Sequence, residues 1–189
     1  LFALHADRRR SVGSLTKIMT AVIIAESHGM DELVTIPKGI EKTSGSTMDL
    51  PPGAHFTIGD LLSALLIPSA NDAAETLARF HSGSREAFVA EMNSRAQMLG
   101  LRNTSFANPS GLDDVSQWST ARDISRLASY ALRSPEIRSR MSTPHMVIQS
   151  TEGEKFVLDH THELLGKNGA VVAGKTGTTG DYRDAWFAG

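Results

Sequence analysis

With 189 residues, 40% of them apolar and 21% charged, the chain is long enough to bury a core and has the composition of a globular protein. A formal net charge of −2 excludes the basic surplus of a nucleic-acid binder, so Arg8-Arg9-Arg10 reads as a solvated turn. The absence of cysteine excludes disulfides and thiol catalysis, leaves the redox compartment open, and the best apolar run, residues 18–25, falls far short of the ~20 residues of a membrane span.

In chain order, residues 1–4 read as a short strand and 5–13 as a polar turn. Residues 14–28 are apolar nearly all round, which predicts a helix buried on every side, with Gly29 placed to cap it. Residues 33–36 suit a strand, and the Gly-, Ser-, Thr- and Pro-rich stretch 37–59 suits short strands and loops. A helix over 60–67 is broken by Pro68, and after the loop Ser69-Ala70-Asn71 another runs over 72–80. Ser84 N-caps a helix over 85–99 that Gly100 ends, with Phe88, Met92, Ala96 and Leu99 on one face. Turn signals fill 106–118. Thr120 and Asp123 resemble a capping box for a helix carrying Ile124, Leu127, Ala128, Ala131 and Leu132 on one face, and a short helix follows over 135–141. Strands are expected at 145–149, 155–158, 170–173 and 185–188. Helical in the middle and β at both ends, the order implies an α+β arrangement: an antiparallel sheet flanked by helices, with a helical lobe at roughly 60–140 inserted between N- and C-terminal strands. One catalytic domain over 1–189 is expected. Because the chain starts and stops in apparent strands, it reads as processed or trimmed, and the lack of a leader before Leu1 carries little weight.

Three short motifs carry chemistry. Ser14-Leu15-Thr16-Lys17 sets a hydroxyl and an amine one helical turn apart on one face, near the positive end of a helix dipole. A lysine in a dry site loses its proton and serves as a base for a nucleophilic hydroxyl. Alone, the motif is frequent by chance and equally describes an N-cap serine with a surface lysine. Ser69-Ala70-Asn71 sits in the break between two helices, where it could equally be a cap. Lys175-Thr176-Gly177 follows an apolar run, where it could equally be a turn. All three in this order form the signature of penicillin-binding proteins and class A β-lactamases.

The residues around the motifs sharpen this. Ser14–Thr20, Ser69–Ala73, Met92-Asn93, Leu99–Leu101 with Asn103-Thr104 and Phe106, Gly111-Leu112 and Lys175–Thr179 resemble the serine D-alanyl-D-alanine carboxypeptidases, the low-molecular-mass penicillin-binding proteins of the serine β-lactamase/transpeptidase superfamily. The resemblance implies that fold, and a serine DD-carboxypeptidase that removes the terminal D-alanine of peptidoglycan stem peptides through an acyl-enzyme and is acylated and inhibited by β-lactams. It implies Ser14 as nucleophile, Lys17 as base, and Ser69 as a proton relay between Lys17 and the leaving amine. Asn71 would bond the substrate backbone and orient Lys17. Lys175 and Thr176 would hold the terminal carboxylate, Gly177 would let substrate lie against the strand, and the N–H groups of Ser14 and Thr178 would form an oxyanion hole. No cofactor, no metal and no nucleic acid are expected. The implied location is the periplasm or the outer face of the bacterial cytoplasmic membrane, with any membrane anchor outside this chain.

Several residues depart from the family pattern. Val12-Gly13 stands where Pro-Ala is usual before the nucleophile, and His160-Thr161-His162-Glu163-Leu164-Leu165 where Asn-Thr-Asn-x-Leu-Leu is usual. Residues 174–189 look closer to the transpeptidase domains of larger penicillin-binding proteins, which leaves the acceptor, water or an amine, open. His160 and His162 read as structural, since no metal-binding pattern such as H-E-x-x-H occurs. Rival readings are a β-lactamase, a DD-endopeptidase or transpeptidase of the same fold, and a non-catalytic peptidoglycan-binding module. Against the first, no glutamate lies in an E-x-x-x-N pattern and the 106–118 loop offers only Asp113 and Asp114.

Overall fold

The computed structural model describes residues 4–167 and 169–180, and the backbone of residues 185–188. The strand expected at 1–4 falls almost wholly outside the described residues, as does the 181–184 part of the transpeptidase-like segment.

Helix α1 (Lys17–Ser27) is the centre of the molecule. Ile18, Met19, Val22, Ile23 and Ile24 are all buried, as the absence of a polar stripe predicts, and α2 (Ile58–Leu66), α3 (Asn71–Ser82), α5 (Ala121–Ala131) and α6 (Pro135–Met141) pack around it. Two details differ from expectation. Ser14 lies in a 3-10 turn, Gly13–Thr16, and the α-helix begins only at Lys17. Gly29 is not the cap: α1 ends at His28 in an extended conformation, its N–H bonded to Ile24 O, so no left-handed residue is needed.

The other helix ends follow side-chain caps. Thr57 and Asp60 form a full capping box on α2, and Ser84 and Ser134 cap α4 (Arg85–Met98) and α6. Thr120 accepts from Asp123 N at 3.1 Å, but the Asp123 carboxylate does not complete the box. It accepts instead from Asn103 N at 2.7 Å, tying the start of α5 to the turn after α4.

All three described ladders are two-stranded and antiparallel: β1 (Leu33–Thr35) with β2 (His55–Thr57), β3 (His145–Gln149) with β4 (Lys155–Asp159), and β5 (Gly174–Gly177) with β6 (Ala185–Ala188). The strand expected at 170–173 is absent. Val172 is 54% exposed, so this apolar run covers no core, and the ladder starts at Gly174, on the Lys-Thr-Gly motif itself. Between the β-bearing ends, α2 to α6 form the helical lobe, and one apolar cluster runs from Val12 to Ala173.

Replacing Ile23 (0% exposed) with alanine should cost about 2–5 kcal/mol in urea denaturation, while Met98→Ala, at a site 69% exposed, should stay within about 0.5 kcal/mol of the parent.

Candidate active site

The three motifs converge on one cleft of about 410 Å³. The 3-10 turn brings Ser14 to it, the break between α2 and α3 brings Ser69 and Asn71, and β5 brings Thr176, Gly177 and, just beyond, Thr178.

Lys17 is fully buried beneath Ser14. Its Nζ lies 2.8 Å from Ser14 Oγ, 2.6 Å from Asn71 Oδ1 and 2.5 Å from the carbonyl of Ser110. Two of these partners, an amide oxygen and a carbonyl, only accept, so they claim two N–H bonds of the amine. The third position faces a hydroxyl, which both donates and accepts. In neutral Lys17 the lone pair therefore falls on Ser14 Oγ, the geometry a base needs to take its proton. Burial holds Lys17 well below the usual lysine range, the charge of Lys175 pushes the same way, and Asp72 and Glu75 oppose both.

Lys175 is likewise fully buried, and burial lowers its pKa to about 7. It donates to Ser69 Oγ and to Thr176 O, both at 2.8 Å. The Ser69 hydroxyl is thus bonded to Lys175 in this structure. Ser69 also has φ +68, a left-handed conformation costly for a residue with a Cβ, and the tight turn from Pro68 into α3 imposes it.

Asn71 accepts from Lys17 and donates through Nδ2 to Ser44 O at 2.8 Å, while its N–H bonds Ser46 O at 2.7 Å. Next to it, the buried Asp72 carboxylate accepts from Met48 N and Leu50 N at 3.1 Å each. The 44–50 loop is thus laid along the start of α3 and fixes the amide that fixes Lys17.

Sequence reasoning missed several contributors. Ser110 acts through a backbone carbonyl, which leaves no residue-type signature. Its neighbour Asn108 does leave one, an Asn-Pro-Ser-Gly turn: Asn108 Oδ1 accepts from Ser110 Oγ, Gly111 N and Leu112 N and shapes the turn that aims the carbonyl. Thr20 Oγ1 pins that turn to α1 through Pro109 O at 2.7 Å. Thr161 lines the cleft with its Oγ1 2.5 Å from Thr176 Oγ1. Thr161 is presented by flanking histidines. His160 Nδ1 accepts from His162 N at 3.0 Å, and burial, with Lys175 and His162 adding to it, lowers the His160 pKa to about 4, so the ring is neutral. The His162 ring lies against Gly174, where a Cβ would stand 2.4 Å from its Cδ2. Among the described residues no three His, Cys, Asp or Glu side chains converge to hold a metal ion.

Glycine lets the three walls approach backbone to backbone. A Cβ at Gly177 would lie 2.6 Å from Val12 O and 3.2 Å from Ser14 N, one at Gly13 2.6 Å from Thr178 O, and one at Gly111 2.0 Å from Gly13 O. The missing Cβ of Gly177 thus serves first to seat β5 against the nucleophile turn, a reason different from the substrate clearance expected.

Comparison with solved structures defines the class. The chain superposes on a putative penicillin-binding protein homologue from Mycobacterium tuberculosis with TM-score 0.93 and 27% identity, covering 100% of this chain and 72% of the other. It superposes on the Streptomyces K15 DD-transpeptidase with TM-score 0.89 and 30% identity, covering 95% and 75%. The fold is that of the penicillin-binding serine peptidases. The family model for D-alanyl-D-alanine carboxypeptidases, peptidase family S11, matches residues 1–185, and the chain belongs to that family. It is 34% identical over 186 residues to the D-alanyl-D-alanine carboxypeptidase DacF of Bacillus subtilis, covering 96% of this chain but 48% of that one, so it spans about half that relative's length.

Gly111 and Gly39 have nearly the same positive φ, +92 and +86, but nothing stands within 4 Å of a Cβ built at Gly39. Gly39→Ala should cost about 1–2 kcal/mol, from backbone strain alone. Gly111→Ala adds a backbone clash and should cost about 1–3 kcal/mol more, compared by urea denaturation of the two variants.

Proposed function

We propose that the chain is the single catalytic domain of a serine DD-carboxypeptidase that cleaves the terminal D-alanine from peptidoglycan stem peptides. The observation that carries this reading is the buried amine of Lys17, 2.8 Å from Ser14 Oγ, with a second buried lysine at the same cleft.

Ser14 Oγ attacks the carbonyl of the penultimate D-alanine and its proton passes to Lys17 Nζ. The oxygen that becomes negative sits between the N–H groups of Ser14 and Thr178, a pair of donors each commonly worth about 3–4 kcal/mol. The C–N bond then breaks. The leaving amine takes the proton from Lys17, with the Ser69 hydroxyl at the other lysine as the polar group between the two, and D-alanine departs. Water attacks the ester on Ser14 and loses a proton to Lys17, the bond from the acyl carbon to Ser14 Oγ breaks, and Lys17 returns the proton to Ser14 Oγ. Lys175, Thr176 and Thr178 receive the free carboxylate, and Thr161 holds the Thr176 hydroxyl. The second N–H of the Asn71 amide is available to a substrate carbonyl. A β-lactam carries a strained amide and a carboxylate in the same relation, so it acylates Ser14 by the same route.

Two observations separate the neighbouring readings. Asp113, the one carboxylate of the 106–118 loop that lines the cleft, has both oxygens occupied, by Ser11 Oγ and Gly180 N. These bonds tie it to both flanks of the rim, and the loop holds no glutamate, which favours inhibition by β-lactams over their turnover. The same acyl-enzyme can pass to an amine, and the likeness to a DD-transpeptidase keeps that acceptor in the test. The substrate places the domain outside the cytoplasmic membrane. No described helix is long and apolar enough to cross a membrane.

Mass spectrometry of the protein with a pentapeptide ending in D-Ala-D-Ala should show release of D-alanine, and benzylpenicillin should add one adduct, on Ser14. Ser14→Ala should fold and lose both. Added glycine as acceptor should leave hydrolysis dominant; a dominant transfer product would make the enzyme a transpeptidase.

Lys175 must be charged to hold a carboxylate, and in the free enzyme burial leaves it neutral above about pH 7. The anion restores the charge, at the cost of taking up a proton. KM for the pentapeptide should therefore rise as pH is raised from 7 to 9. Binding of the C-terminally amidated peptide, measured by competition, should show no such rise.

A further inference from the structure

The rim of the cleft is held by one side chain that the proposed chemistry does not use. Asp113 Oδ1 accepts from Ser11 Oγ at 2.8 Å, and Asp113 Oδ2 accepts from Gly180 N at 2.9 Å. The two donors belong to segments far apart in sequence. Ser11 lies three residues before the nucleophile, and Gly180 lies two residues beyond Thr178. Between them, the backbones of Gly111, Gly13 and Thr178 are stacked so closely that a Cβ would meet carbonyl oxygens at 2.0 and 2.6 Å. No side chain fits between these layers, so none inside the stack holds them in register.

We infer that Asp113 is a positioning residue that fixes the distance between the Ser14 and Thr178 amides, and so the width of the oxyanion hole, by tethering Ser11 and Gly180 to one carboxylate. This rests on the assignment of those two amides as the oxyanion donors. Three features support it. The carboxylate is bidentate, one oxygen to each flank, so a shift of either flank stretches a charge-assisted bond. Its loop is itself rigid: Gln117 Nε2 and Asn108 Nδ2 both donate to Leu112 O at 2.8 Å, one residue before Asp113. The tether also spans the opening where no ladder reaches, since β5 ends at Gly177 and Gly180 lies beyond it.

The chemistry of the tether picks the variants. Alanine removes both bonds. Asparagine keeps both possible, because its Oδ1 accepts from Gly180 N while its Nδ2 donates to Ser11 Oγ, and it removes only the charge. Ser11→Ala cuts one arm and leaves the other.

The experiment measures acylation by a fluorescent penicillin, pentapeptide kcat and KM, the thermal midpoint, and hydrogen exchange of the segment containing Gly180 for all four proteins. Asp113→Ala should slow acylation and lower kcat by about 10- to 100-fold with KM nearly unchanged, as expected when reacting groups are misplaced by up to about 1 Å. Exchange at Gly180 should quicken in the same variant. Asp113→Asn should remain within a few-fold of the parent in every readout, and Ser11→Ala should fall between. If Asp113→Asn is as slow as Asp113→Ala, the carboxylate acts through its charge and the tether is overturned. If Asp113→Ala lowers the thermal midpoint while the folded protein keeps its kcat, the role is structural only and the proposal is likewise overturned. Hydrogen exchange needs no turnover. If the parent reacts with neither penicillin nor pentapeptide, the functional reading fails, while parent-like exchange at Gly180 in Asp113→Ala separately refutes the tether.

Discussion

The placement of one amine in a dry site constrains the rest of this structure. An isolated ammonium taken out of water costs several kcal/mol even after relaxation, and its neutral form still needs its N–H bonds satisfied. Lys17 meets both demands by drawing acceptors from three parts of the chain: the hydroxyl of its own turn, the Asn71 amide at the start of α3, and the Ser110 carbonyl in the 106–118 loop. Two of these are in turn fixed by further bonds, Asn71 by Ser44 and Ser46, Ser110 by the Asn108 turn and by Thr20 on α1 itself. The network closes on the helix that carries the lysine. That helix has no polar stripe because every side of it is occupied, and a helix gripped on all sides cannot relax to return Lys17 to water.

The same demand for dryness explains the backbone packing. Water is kept from Lys17 by walls that touch without side chains between them: Gly111 on Gly13, Gly13 on Thr178, Gly177 on Val12. Close approach brings Ser14 and Thr178 to the same cleft, so the seal around Lys17 and the amides proposed as oxyanion donors would arise from one packing arrangement. The strain that remains is local. Ser69 takes a left-handed conformation that its Cβ disfavours, and it does so where its hydroxyl reaches Lys175 at 2.8 Å. A residue held in such a conformation is over-determined by its surroundings, here by the Pro68 turn on one side and α3 on the other.

How much of this was legible in the sequence depended on whether the information lay in side chains or in backbone. The buried helix was legible because apolar residues on every face allow no other placement, and the helix after Ser84 because a hydroxyl stands at its N-cap. The three motifs were legible as a set because each pairs a reactive side chain with a recognisable local context. Misreadings occurred where apolar character was taken for burial, as at Val172, and where a glycine after a helix was taken for its cap, as at Gly29. The Ser110 carbonyl could not be read at all, since any residue supplies one. Thr161 was seen only as part of a departure from the family pattern, and nothing in its neighbours announced that its hydroxyl would meet that of Thr176. That the Ser69 hydroxyl is bonded to Lys175 was likewise not legible, because only the folded backbone brings residues 69 and 175 together.

The two lysines also show why similar burial need not produce similar chemistry. Both are fully buried and both are shifted downward. They differ in what their acceptors leave open. Two of Lys17's three partners can only accept, so its remaining position must face the Ser14 hydroxyl, and a neutral amine there has one place for its lone pair. Lys175 donates to a hydroxyl and to the Thr176 carbonyl, and on the proposed mechanism its third N–H would be the one to meet the substrate carboxylate. An arriving carboxylate favours the charged form of Lys175, and that charge lies close enough to Lys17 to keep it from taking a proton from solvent. The ligand that needs a cation thereby helps to hold the other amine neutral. On the proposed mechanism, base and anchor would be told apart by their hydrogen-bond partners, since burial lowers both lysines.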